Sequence, residues 1–572
     1  LRYVHYIEKH FIFQYNVFSL INCLPVTLGL NPPVFRGLAM SATITRHTDK
    51  FSTAPQLSPE EMAEVAALGF RTVINNRPDG EGGPSQPSSE SIARAAEAAG
   101  LNYIYLPVIS GQITELQARQ FAELLAIKPG PILAFCRSGA RSQNIYQMAS
   151  GQRSTPSTSG AASACNWGDT QDIVIVGGGS GGIGLAASLK KRQPNLQIAI
   201  IEPNDKHYYQ PSWTLVGAGE FDPQDSVRDM ASVMPAGVTW IRAAVTGFDP
   251  ENKKVTIDKG NPISYQNLVV APGLKLNWQA IPGLEDTLGK NGVTSNYRFD
   301  LAPYTWELVR QMKSGNALFT QPAMPIKCAG APQKAMYLSC SEWEQKGVLN
   351  KISVNFHNAG AVLFGVADFV PPLMNYVKRY NAHLHFTSTL VAVDGPAKKA
   401  WFDEKDASGN VTRVEKSFDM LHVVPPQTAP DVVRESRLAN ADGWVDVNQV
   451  TLQHVRYPDI FSLGDACSSP NAKTAAAARK QIVVVAENLL AARSGRALPT
   501  KYDGYGSCPL TVEKGRIVLA EFGFGGKLLP TFPLNPTVAR QSAWILKKNI
   551  LPWVYWNLML KGHEWLARSE TD

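Results

Sequence analysis

The stretch "DIVIVGGGSGGIGLAASL", which begins at Asp172, restricts the folds open to this chain more than any other. An apolar strand turns through Gly177, Gly179 and Gly182 into a helical pattern, and a second apolar strand, "LQIAIIEP", carries Glu202 at its end. Strand, glycine turn, helix, strand and acid in that order open a doubly wound α/β sheet that holds a dinucleotide. The glycines allow a tight turn and close approach of the backbone to a pyrophosphate at the helix N-terminus, and Glu202 can accept from a ribose hydroxyl. The predicted fold class is α/β.

Two later segments extend this reading. "NLVVAPG", ending at Gly273, and "DIFSLGDAC", carrying Asp465, resemble the later segments of FAD-dependent oxidoreductases built from two dinucleotide-binding domains. The resemblance implies that Asp465, in the Gly-Asp pair, holds the ribityl chain. Lys473 and Thr474 open the helical run "KTAAAARKQIVVVAENLL", whose positive N-terminal end would face the pyrimidine end of a flavin. FAD is the expected cofactor. Such enzymes carry a second glycine fingerprint for a nicotinamide dinucleotide. At "KISVNFHNAGAVLFGVADF" we find Asn358, Gly360 and Phe364 where three glycines would stand, and the bulk of Phe364 argues against nicotinamide as the electron partner. The alternative is a divergent NADH site, which would make the chain an NADH-dependent quinone or polysulfide reductase.

At 572 residues the chain exceeds one hydrophobic core, so two or three globular units are expected. Residues 40–150 alternate helical and strand-like pieces and read as a small α/β domain. Residues 151–170 are rich in Ser, Gly, Thr and Ala and read as a flexible linker in which Cys165 is a bystander. The flavin domain is expected over 171–535. Residues 1–39 contain an apolar stretch interrupted by Gln14, Asn16, Asn22 and Pro25, poor as a membrane span and as a secretory signal, and Cys23 is a weak lipid-attachment candidate. Met40 is the expected start. The net charge of +7 comes without a basic run interleaved with aromatics, which argues against nucleic acid and for an anionic membrane surface or substrate. Seven cysteines without close pairs suit a reducing compartment and a few working thiols. No metal-ligating set is expected.

Cys328 lies in "PIKCAGAPQKAMYLSC", after a strand-like "NALFT" and before a helical run, in a loop that leaves its sulfur accessible. Cys467 follows Asp465 by two positions and is close to the flavin by connectivity. From Asp172 to the C-terminus the text resembles the sulfide:quinone oxidoreductases, of the type that includes the animal mitochondrial enzyme. The matching segments are "PIKCAGAPQKAMYLS", "DMLHVVPP", "GWVDVNQVTLQHVRYPDIFSLGDACSSPNAKTAAA", "KYDGYGSCPL" and "ILPWVYWNLMLKG". The resemblance implies oxidation of hydrogen sulfide, with Cys328 and Cys467 as the redox pair. Sulfide attacks their bridge, a persulfide forms on Cys467, Cys328 passes the electron pair to FAD, and a small thiol or sulfite removes the sulfane sulfur. Lys334 would favour thiolate anions nearby. Cys340 and Cys508 are expected to pack in the core.

The tail from residue 536 combines Trp544, Trp553, Tyr555, Trp556 and Trp565 with Lys547, Lys548, Lys561 and Arg568. Its apolar run is broken by Pro552 and Asn557 and is far shorter than the ~20 residues that span a bilayer. Interfacial helices that dip into one leaflet and admit a quinone are expected, with the protein peripheral on the cytoplasmic face of a bacterial inner membrane.

In the small N-terminal domain, "FCRSGARS" puts Cys136 at the end of a buried strand, before a loop closed by Arg141. A thiol cradled by backbone N–H groups and capped by arginine has a lowered pKa and binds an anion. Four residues separate the two, the length that rhodaneses favour, whereas phosphatases use five. The segment also resembles the phosphatase-like domain of beta-lactamase-hydrolase-like proteins, of which "INNRPDGE" is typical, and Asp79 would then be the general acid. Persulfide acceptance by Cys136, phosphate hydrolysis and non-catalytic sensing stay open, with the first favoured.

Overall fold

The computed structural model describes residues 44–149 and 171–567, except 82, 84, 85, 109–112, 114 and 471. The proposed leader with Cys23, the linker with Cys165, and Arg568 lie outside the described residues. The chain divides into two units, 1–162 and 163–572.

In the first unit, strands Phe51–Ala54, Ile132–Phe135, Thr72–Asn75 and Asn102–Tyr105 lie side by side in parallel, and Thr45–Thr48 pairs antiparallel at one edge. All four residues of the middle strand, Ile132–Phe135, are buried, as a strand covered on both faces requires. Its side chains alternate between two cores. Leu133 and Phe135 pack with Met62, Val65, Ile92 and Ala96, and Ile132 and Ala134 with Phe121 and Ile145. The strand runs directly into Cys136.

In the second unit, Gln171–Val176 pairs in parallel with Ile198–Ile201 on one side and Ile263–Val270 on the other. Val238–Ile241 extends the first edge, and Ile460–Ser462 pairs with Ile263–Val270. The winding direction therefore reverses at Gln171–Val176, and a ligand crevice is expected beyond its carboxyl end. The glycine turn lies there. Gly177 has φ 102°, and a Cβ on Gly182 would stand 1.9 Å from the Gly177 carbonyl oxygen, so helix Ser180–Arg192 packs directly on the turn.

A second parallel sheet has the order Val293–Thr294, Met420–His422, Gly315–Gln321, Ile352–Asn358, His383–Phe386. The chain leaves Gly315–Gln321, passes through helix Ala331–Gln345 to Ile352–Asn358, and then through helix Val370–Arg379 to His383–Phe386. Gly315–Gln321, flanked by Ile352–Asn358 on one side and Met420–His422 on the other, is thus the switch point of this sheet. That corrects the sequence reading, which sought the second fingerprint after Ile352–Asn358. Asn358 instead closes the second strand, bonding the Gly360 N–H and the Val362 carbonyl, and Phe364 packs edge-on against Phe369 and Phe522 in the core. The loop in the pyrophosphate-binding position of the second sheet is the one that carries Cys328.

Two antiparallel pieces complete the unit. Ser388–Asp394, Lys399–Lys405 and Val411–Ser417 form a three-stranded sheet, and Gly506–Glu513 and Arg516–Phe522 form a hairpin whose Cys508, Leu510 and Val518 share a core with helix Ala331–Gln345. At the C-terminal end, Gln541–Ile545, a π-helical turn Leu546–Ile550 and Leu551–Asn557 follow one another. No helix among the described residues is long and apolar enough to cross a membrane.

Candidate active site

One cavity of the second unit is lined by Gly179 and Glu202 at the glycine turn, by Gly273, Asp465, Lys473 and Thr474, and by Cys328 and Lys334. Glu202 is held under the turn: its carboxylate accepts from the Gly178 N–H at 2.8 Å and from the Asn204 N–H at 2.9 Å. A Cβ at Gly179 would meet nothing within 4 Å, so the N-terminus of helix Ser180–Arg192 opens on free space where an anion would sit. The residues present fit a dinucleotide. Thr474 caps helix Ala475–Arg493 by accepting from the Ala477 N–H at 3.1 Å. Lys473 lines the cavity, but its ammonium donates to the carbonyls of Asp465 and Cys467 at 2.8 and 3.0 Å and sits 3.9 Å from the centre of the Trp444 ring. It shapes the turn that presents Asp465, a carboxyl whose pKa burial raises.

Cys328 is tied to the same region by its N–H, which donates to the Lys473 carbonyl at 2.8 Å. Its φ of 49° is uncommon for a residue with a Cβ. The Lys334 ammonium lies 3.1 Å from its sulfur, and the Cys508 sulfur lies 3.8 Å away, both thiols being free. A hydrogen bond from Cys508 holds the Cys328 thiol well below its ordinary range; burial opposes this, and Lys334 and Lys547 reinforce it. The same bond and burial push Cys508 well up. The opposite shifts make Cys328 the more acidic sulfur, accepting the hydrogen bond that the Cys508 thiol donates.

The structure sets Cys508 beside Cys328, where the sequence led us to expect Cys467. Cys467 is fully buried in the core of the first sheet, and its thiol donates to the Gly464 carbonyl at 3.2 Å. Closeness in sequence to Asp465 did place its backbone near the cavity, but the turn Gly464–Ala466 aims the side chain into the core. Cys508, expected to be a packing residue, takes its place because the hairpin lies against the first turn of helix Ala331–Gln345. Gly330 there leaves so little room that a Cβ would come 2.3 Å from Leu510 and 3.7 Å from the Cys508 Cβ. Cys340 is buried in the core as expected, and burial raises its thiol pKa.

The tail contributes more to the cavity than its sequence indicated. Lys547, on the π-helical turn, is buried, lines the cavity and donates to the Pro211 carbonyl at 2.9 Å. Burial, with Lys334 nearby, pushes its amine down to about 7. Trp544 and Tyr555, read as interfacial, are buried. Burial pushes His207 down to about 4, so its neutral ring donates from Nδ1 to the Gly178 carbonyl at 2.9 Å and accepts from the Tyr555 hydroxyl at 2.6 Å. Tyr555 in turn meets the Ser180 hydroxyl at 2.7 Å. The C-terminal helix is thus bonded to the dinucleotide turn. Ile545, Ile550 and Trp553 are the large apolar residues of these helices that remain exposed.

In the first unit, Cys136 is buried at the end of strand Ile132–Phe135, and helix Ala140–Ala149 begins after Gly139. Arg141 donates to the Val108 carbonyl at 2.6 Å and to Glu81 at 2.7 Å, and Arg77 donates to the same carboxylate at 2.9 Å. Burial would raise the Glu81 carboxyl, but the two guanidinium groups outweigh it and hold it low. Asp79 accepts from the N–H and hydroxyl of Ser89 at 2.7 and 2.6 Å, fixing the start of helix Ser89–Ala98.

Two dinucleotide-type sheets, a glycine turn and a close pair of cysteines at the switch point of the second sheet define a flavoprotein of the disulfide oxidoreductase class, and residues 171–322 match the pyridine nucleotide-disulphide oxidoreductase family. The mitochondrial sulfide:quinone oxidoreductase of Dictyostelium discoideum is 41% identical over 401 residues, covering 69% of this chain and 87% of that one. The Mus musculus protein of the same name is 37% identical over 412 residues, covering 72% and 91%. The chain belongs to the sulfide:quinone oxidoreductase family. The X-ray structure of the Aquifex aeolicus sulfide:quinone oxidoreductase, 20% identical, shares the fold with a TM-score of 0.57 over 69% of this chain and 92% of that one. Residues 43–153 match the phosphatase-like domain of beta-lactamase hydrolase-like proteins.

Proposed function

We propose that this chain oxidises hydrogen sulfide and reduces a quinone, with FAD as its flavin and Cys328 and Cys508 as the thiols that handle sulfur. The observation that carries this is the pair of sulfurs 3.8 Å apart, with the Lys334 ammonium 3.1 Å from Cys328 and both Cys328 and Lys334 lining the cavity that reaches Glu202 and the glycine turn, Cys508 lying buried behind Cys328. The gap accommodates a direct bridge after a small closing movement, or one inserted sulfur held by two bonds of about 2.05 Å.

With the pair oxidised, a sulfide anion attacks the Cys508 sulfur. One S–S bond forms, the bond to Cys328 breaks, Cys508 carries a persulfide and Cys328 leaves as a thiolate stabilised by Lys334. Lys547, whose amine is poised near neutrality, is placed to exchange the proton that sulfide gives up. A small thiol or sulfite then takes the outer sulfur, leaving Cys508 as thiolate. FAD, when bound, supplies the two-electron acceptor that lets the two thiolates close to a disulfide, and a quinone later removes those electrons. Anaerobic addition of sulfide should bleach the flavin of the purified protein, and NADH should not. Bleaching by NADH alone would sink this reading and favour an NADH-dependent reductase.

A membrane surface is the proposed source of quinone, on the cytoplasmic face of a bacterial inner membrane. Ile545, Ile550 and Trp553 support this by offering an exposed apolar edge. Replacing Ile550 and Trp553 together with glutamate should lower cosedimentation with anionic liposomes on the order of tenfold or more, while reduction of a short-chain, water-soluble quinone is kept. Unchanged cosedimentation would remove this edge from the proposal.

For the first unit we favour Cys136 as an acceptor of sulfane sulfur. Asp79 is committed to the start of a helix, which leaves the phosphatase reading without a free general acid at that position. Turnover with labelled sulfide should leave label on Cys136, and Cys136→Ser should lose it while sulfide still bleaches the flavin. Steady hydrolysis of an aryl phosphate, with no label transferred, would reverse the preference.

A further inference from the structure

His357 and His385 are register partners on the adjacent parallel strands Ile352–Asn358 and His383–Phe386, so their side chains leave the same face of the second sheet. The rings stack with centroids 4.3 Å apart, and Phe402 covers the other face of His357 at 3.9 Å. Glu404, two positions beyond Phe402 on Lys399–Lys405, stands opposite Ser388 in the three-stranded sheet. One ligand atom from each of His357, His385 and Glu404 lies within 4.8 Å of the others.

The hydrogen bonds around this cluster leave it short of partners on its inner side. Asn355 Oδ1 accepts from His385 Nε2 at 2.9 Å, which fixes the proton there and leaves Nδ1 with its lone pair. His357 Nδ1 pairs with the Ser388 hydroxyl at 2.8 Å. Its Nε2 is buried without a hydrogen-bond partner among the described residues, on a side chain that is only 1% exposed. Glu404 is half-buried, and among the described residues its carboxylate receives only the Ser388 hydroxyl at 3.5 Å and no ion pair. Two oriented imidazoles and an unneutralised carboxylate form a donor set that suits zinc and other borderline divalent ions better than calcium or magnesium, which prefer oxygen alone. Asn355 and Ser388 are the outer-shell partners such a site requires.

We propose that His357, His385 and Glu404 bind one divalent transition-metal ion, zinc in the first instance, between the second parallel sheet and the three-stranded antiparallel sheet. Water completes the coordination. The ion pins His383–Phe386 to Lys399–Lys405 and takes no part in sulfur chemistry. Parallel stacked rings do not aim two lone pairs at one point, so coordination turns one of them. His385, half-buried, turns about its Cβ–Cγ bond, a broad torsion, while Phe402 holds His357 in place. Lys416 acts electrostatically on both rings and opposes a bound cation, so the carboxylate of Glu404 decides the affinity.

The test uses the full flavin-loaded chain, stripped with chelator, dialysed, and titrated with zinc by calorimetry and with cobalt by visible absorption. The redox thiols are the competing ligands, and cobalt separates them: thiolate ligation gives intense near-ultraviolet charge transfer, whereas nitrogen and oxygen ligation gives weak ligand-field bands alone. The wild type should bind one equivalent with ligand-field bands alone. Glu404→Gln and His385→Asn should each weaken binding at least ~10-fold, with sulfide-driven flavin bleaching unchanged. Absence of binding to the wild type, a thiolate charge-transfer band, or equal affinity in Glu404→Gln would each overturn the site.

Discussion

Cys508→Ser should lower the rate of sulfide-driven flavin reduction on the order of 10³-fold or more, as loss of a residue that carries a covalent intermediate does. Cys467→Ser should leave that rate close to the wild-type value. The contrast follows from where the sulfurs lie: Cys508 is 3.8 Å from Cys328, and Cys467 donates to a backbone carbonyl inside the core of the first sheet. Serine is smaller and more polar than the thiol it replaces in this core, so Cys467→Ser should melt at lower temperature without losing chemistry. Anaerobic stopped-flow absorbance of the flavin separates the two effects. Loss of sulfide bleaching in Cys467→Ser, with bleaching intact in Cys508→Ser, would restore the pairing expected from sequence and remove the one the fold builds.

Lys334→Met should raise the pKa of Cys328 by removing the cation that favours its thiolate. Lys334 is buried, and its ammonium lies 3.1 Å from the Cys328 sulfur. The sign is fixed by the direction of the shift. The wild-type thiol is held low by the Cys508 hydrogen bond and by Lys334, so Cys328 keeps its thiolate to lower pH than an ordinary thiol would. Without Lys334 the protonation step moves to higher pH. Alkylation of the reduced enzyme by iodoacetamide should slow in the variant between the two pKa values and converge with the wild type above both. Superimposable pH profiles would mean that Cys508 alone holds the thiolate and that Lys334 is structural.

Much of the flavin side could be read from the chain because its signals are local. The glycines, Glu202 and the helix that follows lie within one strand-turn-helix-strand unit, and steric demand writes them directly into the sequence: a Cβ on Gly182 would overlap the Gly177 carbonyl. The thiol pair was only half legible. Cys328 announces itself by a polar, small-residue loop, whereas Cys508 sits in an alternating hairpin strand and meets Cys328 only through packing on helix Ala331–Gln345. Its occurrence in "YGSCPL", a segment shared with the family, was the available signal. The switch point of the second sheet escaped for a related reason. Strand order is a property of pairing between distant segments, and nothing within "GNALFTQ" says that Ile352–Asn358 and Met420–His422 will flank it. The tail misled because aromatic and basic residues have the same composition whether they face lipid or, like Tyr555 and Lys547, fill a cavity wall.

The bond between Tyr555 and the Ser180 hydroxyl also bears on the order of assembly. A ribosome delivers residues 551–557 long after the glycine turn, so the newborn chain holds a crevice open to solvent until its last helices arrive. A chain cut before Leu551 should therefore release its flavin faster than the intact one.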